Sequence, residues 1–131
     1  MLSGRTPIAQ APSGEWWPYR NQLLVTLAAA WALPRGFEAV VVGSVRSDGF
    51  HVDGTADFYD VADRLLSMQE GGIRVLAPAI TMTSAELVQA SAVPDDILVW
   101  TISCHRGPLS CGDCPGCDKH ETLLRQLGRL Q

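Results

Sequence analysis

The chain has 131 residues, with ten basic and fourteen acidic side chains that give a net charge of −4 at pH 7. This length fits one domain with its own core, and 47% hydrophobic against 18% charged residues exclude a wholly disordered chain. The acidic balance disfavours direct nucleic-acid binding and no apolar stretch is long enough for a membrane helix, so we expect a soluble, cytoplasmic protein without membrane contacts.

The first twenty residues hold three prolines and no sustained hydrophobic period. They therefore predict an irregular N-terminal arm over residues 1–20, followed by one domain over residues 21–131. Trp16 and Trp17 give this arm a large apolar surface, so we expect the two rings to pack on a core edge or on a partner. The arm also lacks the apolar centre of a secretory signal peptide.

A helix is predicted over residues 22–33, because apolar residues recur there at helical spacing and Pro34 with Gly36 ends the pattern. Asn21 is placed to cap its first turn. The recurring apolar residues are interpreted as the core-facing stripe of this helix. They are Leu23, Leu24, Leu27, Ala28 and Trp31.

Two short apolar runs alternate with helices in the middle of the chain. Residues 39–43 are a continuous apolar run rich in β-branched residues, as expected of a strand buried on both faces of a parallel sheet, and residues 73–77 are predicted to form a second short buried strand. Between them, apolar residues from Phe58 to Leu66 return to helical spacing. This alternation predicts an α/β fold, in which a thin parallel sheet of two or three strands is covered by helices.

The last third of the chain begins with a helix near Ser84, where Thr83 and Glu86 form a capping box that satisfies two helix-start amides reciprocally. Residues 97–102 are predicted to form a strand or an extended segment. A final helix over about residues 119–130 carries its leucines on one face.

All four cysteines lie in one loop, at residues 104–117. Their spacing, C-x6-C-x2-C-x2-C, offers four thiolates to one tetrahedral ion, and a closed set of this kind is typical of structural zinc. His105 adjoins the first cysteine and is interpreted as lining the site. The predicted zinc ligands are Cys104, Cys111, Cys114 and Cys117.

Two other states of the cysteine loop stay open from the spacing alone. Four cysteines can pair as two disulfides in three ways, although a reducing compartment disfavours them. An iron–sulfur cluster also uses C-x2-C-x2-C runs, although the ferredoxin pattern continues with a fourth cysteine three residues on and then a proline. Here Asp118 follows Cys117, the last cysteine of the chain.

Several segments, in this order, are similar to one known family. Residues 19–30 read YRNQLLVTLAAA, residues 77–88 include AP and TSAELV, and residues 100–117 read WTISC followed by CGDCPGC. They resemble the GRN…LSLAAA, TPL…LTKAEIV and TWSC…CGxCxxC segments of the 7-cyano-7-deazaguanine synthases, the QueC family. The resemblance extends over about residues 18–128.

The resemblance implies a Rossmann-like fold of the adenine nucleotide alpha-hydrolase type, within the pyrophosphatase-loop ATP enzymes, and a zinc-bearing C-terminal loop. It also implies a ligase activity. Family members adenylate the carboxylate of 7-carboxy-7-deazaguanine, bring in ammonia and dehydrate the amide to the nitrile preQ0, which feeds queuosine and other deazaguanine pathways.

One departure from the family pattern concerns ATP. The family's S-G-G-x-D-S phosphate loop is absent from this sequence, which corresponds to the C-terminal half of a usual member, and Ser84 stands where the family has lysine. We expect ATP and magnesium only if a partner supplies that loop, either a polypeptide equivalent to the N-terminal half or a second copy of this chain. The isolated chain is predicted to be inactive. The alternative is a non-catalytic, zinc-stabilised scaffold subunit that has lost ATP chemistry.

The resemblance and the residue types together suggest a site for a small, purine-like molecule. Arg20 is positioned to grip a phosphate or the substrate carboxylate, or is simply a solvated cation. Asn21 pairs with a purine-like edge or only caps its helix. Asp48 and Asp53 are expected to bind substrate amino groups or a magnesium ion, whereas Asp57 is interpreted as a helix-start aspartate.

Overall fold

The computed structural model describes residues 17–130, which divide after Thr81 into two compact units. The N-terminal unit holds helix α1, strand β1, helix α2 and strand β2. Their bounds are Arg20–Ala32, Ala39–Val41, Ala56–Ser67 and Arg74–Leu76. The C-terminal unit holds helices α3, α4 and α5, at Ser84–Ser91, Asp95–Leu98 and Pro115–Gln126.

The predicted N-terminal arm falls largely on residues that the structure does not describe, and Trp16 is one of them. Trp17, the first described residue, is 46% exposed. Over residues 17–130, no helix combines the length and the hydropathy needed to cross a membrane.

The two strands form a parallel sheet in which α2 is the crossover, and this confirms the predicted α/β fold. Val40 lies opposite Val75 in the register, and the neighbouring positions pair in step. The ladder continues past both strand ends, because the Val42 amide donates to the Leu76 carbonyl at 2.8 Å and the Arg74 amide donates to the Glu38 carbonyl at 3.0 Å.

Helices α1 and α2 cover the sheet through two small apolar clusters. One cluster consists of Val25, Tyr59 and Val75. The other consists of Ala29, Ala32 and Ile73, with Val40 packed against it. The face of α1 that reaches the core is thus made of small residues four and three positions apart, which lets the helix lie close to the strands.

The prediction that this apolar stripe of α1 faces the core was wrong. Leu23, Leu24, Leu27 and Trp31 are between 43% and 66% exposed. The helix is apolar nearly all round, so helical spacing alone could not distinguish the face that packs from the face that does not. Trp31 instead packs locally, against the ring of Phe37 and under the guanidinium of Arg35.

The predicted capping role of Asn21 was also wrong. The helix α1 begins one residue earlier, at Arg20, after Tyr19 in the left-handed region with a φ of 57°. The capping box of α3 is confirmed, because the Thr83 hydroxyl accepts from the Glu86 amide and the Glu86 carboxylate accepts from the Thr83 amide.

Two expectations for the C-terminal unit need correction. The segment predicted as extended over residues 97–102 starts instead within α4, because Pro94 precedes a first turn that contains two aspartates. The last helix begins at Pro115 rather than near residue 119, since the Cys114 sulfur accepts from the Cys117 amide as an N-cap does. It ends at Gln126, before Gly128 with its φ of 69°.

An ion pair closes the outer side of β2. The Asp63 carboxylate, on α2, accepts from Nε and Nη2 of Arg74 at 2.8 and 2.7 Å and from the Val75 amide at 2.7 Å. The bond from Arg74, followed by the bond from Val75, lowers the pKa of Asp63 from its ordinary value of 3.8 to about 2. The charged carboxylate therefore ties α2 to the edge of the sheet.

The lowered pKa of Asp63 predicts a loss of stability in acid. The contribution of this carboxylate is complete above pH 3.8, its unfolded value, and is lost as the pH falls through about 2. At pH 7, Asp63→Ala is expected to lower the free energy of unfolding by about 1–3 kcal/mol, because the Val75 amide loses its acceptor. Urea unfolding at pH 7 and at pH 3 measures both effects.

The control for this experiment is Asp60→Ala, an exposed aspartate on the same helix. It is expected to keep the wild-type stability and acid dependence. Equal losses in the two variants would contradict the role assigned to Asp63.

Candidate functional site

The C-terminal unit brings its four cysteine sulfurs to one place. Cys104 and Cys111 lie in the loop before α5, and Cys114 and Cys117 lie at its start. Their Sγ atoms are all within 4.8 Å of one another, and the Sγ atoms of Cys111 and Cys117 are 3.9 Å apart. A tetrahedral ion with metal–sulfur bonds of about 2.3 Å separates its ligands by about 3.8 Å, so the cluster can hold a metal ion such as zinc. All four thiols are free, which rules against the disulfide alternative in this structure.

Backbone amides point at the sulfurs, those of Cys104 and Cys114 among them. The Arg106 amide donates to Sγ of Cys104 at 3.4 Å, and the His105 amide donates to Sγ of Cys114 at 3.5 Å. The Cys117 amide also donates to Sγ of Cys114, at 3.4 Å. The bond from Arg106 is the main cause that lowers the pKa of Cys104, and the bond from His105 is the main cause for Cys114.

The other two sulfurs differ from each other. The Ser110 hydroxyl donates to Sγ of Cys117 at 3.2 Å and lowers the pKa of that thiol. At Cys111 the bond from the Asp113 amide acts to lower the pKa, but desolvation and bonds with the other thiols outweigh it and raise the pKa to about 11. Three sulfurs thus favour the thiolate and one does not. A bound cation resolves this mismatch, since it deprotonates a coordinating thiol.

Gly116 allows the loop to close against the start of α5. A Cβ at this position would overlap the carbonyl oxygen of Ser103 and would lie 2.7 Å from the His105 ring. The loop and the helix can therefore meet only because Gly116, one of the two residues between Cys114 and Cys117, has no side chain. His105 lies against this glycine, which agrees with its predicted place lining the site.

Three of the four predicted substrate-binding residues meet at the start of α1. The Asn21 side-chain amide donates to the Asp53 carbonyl at 2.7 Å, and the Asn21 backbone amide donates to the Asp53 carboxylate at 3.2 Å. Nε of Arg20 donates to Oδ1 of Asn21 at 3.4 Å, and the Arg20 side chain is exposed. Asp53 is thus the residue that caps α1, from 32 positions along the chain.

The fourth predicted residue lies in the turn that leads to Asp53. The Asp48 carboxylate accepts from the Val45 amide at 3.0 Å. Gly54 lies so close to the Asp48 backbone that a Cβ would not fit, so this loop can close only with a glycine at that position. Asp57 is exposed in the first turn of α2, as expected for a helix-start aspartate.

The same loop holds a histidine, His51, for which the sequence gives no functional signal. His51 is partly buried, and its Nδ1 atom is shielded from solvent with no hydrogen-bond partner among the described residues. It lies between Asp48 and Asp53 in sequence, and its ring meets that of Phe50 edge to face. No local pattern marks this histidine, because its burial depends on how the loop folds back.

Comparison with known proteins gives one consistent result. Residues 5–128 match the family model described as queuosine biosynthesis protein QueC. The 7-cyano-7-deazaguanine synthase of Methanosarcina mazei is 29% identical over 116 residues, and that of Desulforudis audaxviator is 35% identical over 122 residues. These matches cover 86% and 88% of this chain but only 50% and 54% of the relatives. The chain spans about half the length of the curated relatives it matches.

The close approach at Gly116 gives a prediction for the cysteine cluster. Gly116→Ala is expected to lower the melting temperature by several degrees, because the loop must move away from the helix and the destabilisation is about 1–3 kcal/mol. Gly107→Ala is the matched control, since a Cβ there meets nothing within 4 Å and is expected to change little. Differential scanning calorimetry compares the two. Equal melting temperatures would contradict the packing described here.

A second prediction concerns the bound ion. The purified chain is expected to carry one equivalent of metal, and Cys117→Ser is expected to lose most of it, because the cluster then offers three thiolates. Mass-spectrometric metal analysis measures the stoichiometry. Ser110→Ala is the control, since it removes a hydrogen bond to the same sulfur but keeps all four ligands. Full metal content in Cys117→Ser would show that this cysteine is not a ligand.

Proposed function

The chain belongs to the QueC family, and on that premise we propose that it is the zinc-bearing half of a 7-cyano-7-deazaguanine synthase-type ligase. The observation that carries this proposal is the cysteine cluster: the four sulfurs of the family-like C-terminal segment lie within 4.8 Å of one another. The loop thus has the geometry that the signature requires in a metal-loaded protein.

The proposed metal is zinc in a structural role. Four thiolates complete a tetrahedral shell and leave no open position for substrate, which is the property of structural rather than catalytic zinc. Its binding energy would hold the loop over residues 104–117 on the first turn of α5. An iron–sulfur cluster is the competing metal group, and it is distinguished by inorganic sulfide and a brown colour.

The proposed reaction converts the carboxylate of 7-carboxy-7-deazaguanine into a nitrile through an amide. ATP supplies the activation of the carboxylate. In this chain, the exposed guanidinium of Arg20 is the group we assign to an anionic part of the substrate. Asn21 and Asp53 hold that region in place, because their mutual hydrogen bonds fix the start of α1.

Turnover needs a second polypeptide under this proposal. The sequence has no S-G-G-x-D-S loop, and the chain covers about half of each relative. A glycine-rich loop at a helix N-terminus is what binds the phosphates in such enzymes. We therefore assign ATP and magnesium to a partner equivalent to the remainder of the relatives.

One observation favours the alternative of a non-catalytic, zinc-stabilised scaffold subunit. Asn21, Asp48 and Asp53 each make hydrogen bonds that stabilise the loop or α1. Ser84, at the position where the family has lysine, is simply the first residue of a capped helix. A scaffold that kept its fold and lost its chemistry would retain these bonds.

The turnover experiment distinguishes the two functions. The chain is incubated with 7-carboxy-7-deazaguanine, ammonia, ATP and magnesium, alone and with the part of the Desulforudis audaxviator relative that lies outside its match to this chain. The chain alone is expected to make no nitrile, and the pair is expected to make it, as measured by liquid chromatography and mass spectrometry. Turnover by the chain alone would contradict the partner requirement.

In the active pair, Arg20→Ala is expected to lower kcat/KM by about tenfold or more, since it removes a charge-assisted contact to the substrate. Arg64→Ala, another exposed arginine of the N-terminal unit, is the control. A zinc-loaded pair that assembles but makes no nitrile would support the scaffold function instead.

A further inference from the structure

The two outer edges of the sheet are not equivalent. We define the β1 edge as the outward backbone groups of Ala39 and Val41, and the β2 edge as those of Val75. In the described sheet each strand has one neighbour, so each edge is a place where a further strand could pair. Only one of them is left available for pairing.

The β2 edge is closed from within the chain. The outward Val75 amide already donates to the Asp63 carboxylate, and the Arg74 guanidinium binds both oxygens of that carboxylate. A charged side chain placed on an edge strand is a common way to prevent further strand pairing. An added strand would have to displace this ion pair.

The β1 edge is open in the part of the chain that the structure describes. The ladder to β2 uses the Glu38 carbonyl and the Val42 amide, so in a parallel pair the N–H and C=O groups of Ala39 and Val41 point the other way. No hydrogen bond from residues 17–130 reaches them. The Val41 side chain is 66% exposed, in the middle of a β-branched run.

An apolar face of α1 lies on the same side. Gln22 and Thr26 line the groove between α1 and α2, so they mark the side of α1 that faces α2. Leu24 and Trp31 lie on the opposite side of the helix and are 55% and 57% exposed, and Leu27 beside them is 66% exposed. Because α1 packs on β1 and α2 packs on β2, the side of α1 away from α2 overlooks the β1 edge.

We propose that a second polypeptide adds a parallel strand to the β1 edge and packs a helix on the Leu24–Leu27–Trp31 face of α1. The existing pairing supports a parallel strand, because β1 and β2 are parallel and purely parallel sheets are over-represented among sheets. The proposal rests on the proposed function for the identity of its occupant.

The occupant is the polypeptide that carries the half of the family's length missing from this chain. This chain covers 50% and 54% of two relatives, so a partner equivalent to the remainder would be large enough to supply strands and helices. A second copy of this chain fits the edge less well, since two β1 strands related by a two-fold axis would pair antiparallel. The β-branched strand and the apolar helix face are the surfaces that a parallel α/β partner buries.

The test uses the full chain and, as the probe, the part of the Desulforudis audaxviator relative outside its match to this chain. Val41→Pro removes the outward N–H and keeps the ladder, because that amide does not bond to β2. It is expected to weaken the dissociation constant of the pair by about tenfold or more. Val52→Pro is the matched control, because it replaces another exposed valine, which lies at the start of a 3-10 turn and follows a residue with extended backbone. It is expected to change the dissociation constant by no more than about twofold.

A side-chain pair of variants tests the helix face independently. Leu24→Lys is expected to weaken binding by about tenfold or more, and Leu65→Lys, at the same 55% exposure on α2, by about twofold or less. Circular dichroism of each variant establishes that it is folded. Hydrogen exchange followed by NMR is expected to show that binding protects the amides of Ala39 and Val41 and leaves that of Val75 unchanged.

Three results would overturn this proposal. The first is that the wild-type chain does not bind the probe. The second is that it binds and that Val41→Pro binds equally well. The third is that the Val41 amide is already protected from hydrogen exchange in the unbound chain, either by the chain's own residues or by a second copy detected by light scattering. A pair that binds through this edge but makes no nitrile leaves the docking surface in place and contradicts the proposed activity instead.

Discussion

The two-stranded sheet limits what the N-terminal unit can bury. Each strand has a single neighbour, and the side chains that pack between sheet and helices are few and small, as the clusters around Val75 and Ile73 show. No described side chain is less than 2% exposed. The apolar surfaces left over are therefore large for a chain of this length, and exposed apolar patches of this kind mark interaction surfaces. The small size of the sheet accounts for three features of this unit. They are the exposed leucines of α1, the unpaired edge of β1 and the ion pair at the edge of β2.

The C-terminal unit also buries few apolar side chains, but it differs in which residues these are. Among its described residues, the buried apolar positions are Leu98, Cys114 and Cys117, so two of the three are cysteines of the cluster. Hydrogen bonds from amides and a hydroxyl lower the pKa of three of the thiols, whereas desolvation and the neighbouring thiols raise the pKa of the fourth, Cys111. A bound ion would thus supply both the charge balance and the cross-linking that a small core does not. A bound ion would give the C-terminal unit the order that the N-terminal unit obtains from packing.

The sequence predicted element types well where local chemistry decides them. The capping box at Thr83, the β-branched strand at Val41 and the cysteine spacing each depend on residues close together in the chain. The predictions that were wrong concern residues whose contacts are made with residues distant in the sequence. Asn21 does not cap α1, because Asp53 reaches that helix start from another loop. The exposed stripe on α1 was assigned to the core because spacing reports a periodicity and not a direction. Likewise, the buried nitrogen of His51 depends on a loop closure that no local pattern records.

The binding of the Asp63 carboxylate to the edge of β2 has a consequence for stoichiometry. Strand addition that is open at both edges of a sheet can repeat indefinitely, and this is the geometry of filaments. Asp63 and Arg74 occupy one edge, so a chain that accepts a strand at the other edge offers no place for the next one. Assembly by this route is self-terminating. The ion pair between Asp63 and Arg74 prevents further strand addition. Complexes that form by strand pairing at the sheet edge therefore reach a finite size without any further control.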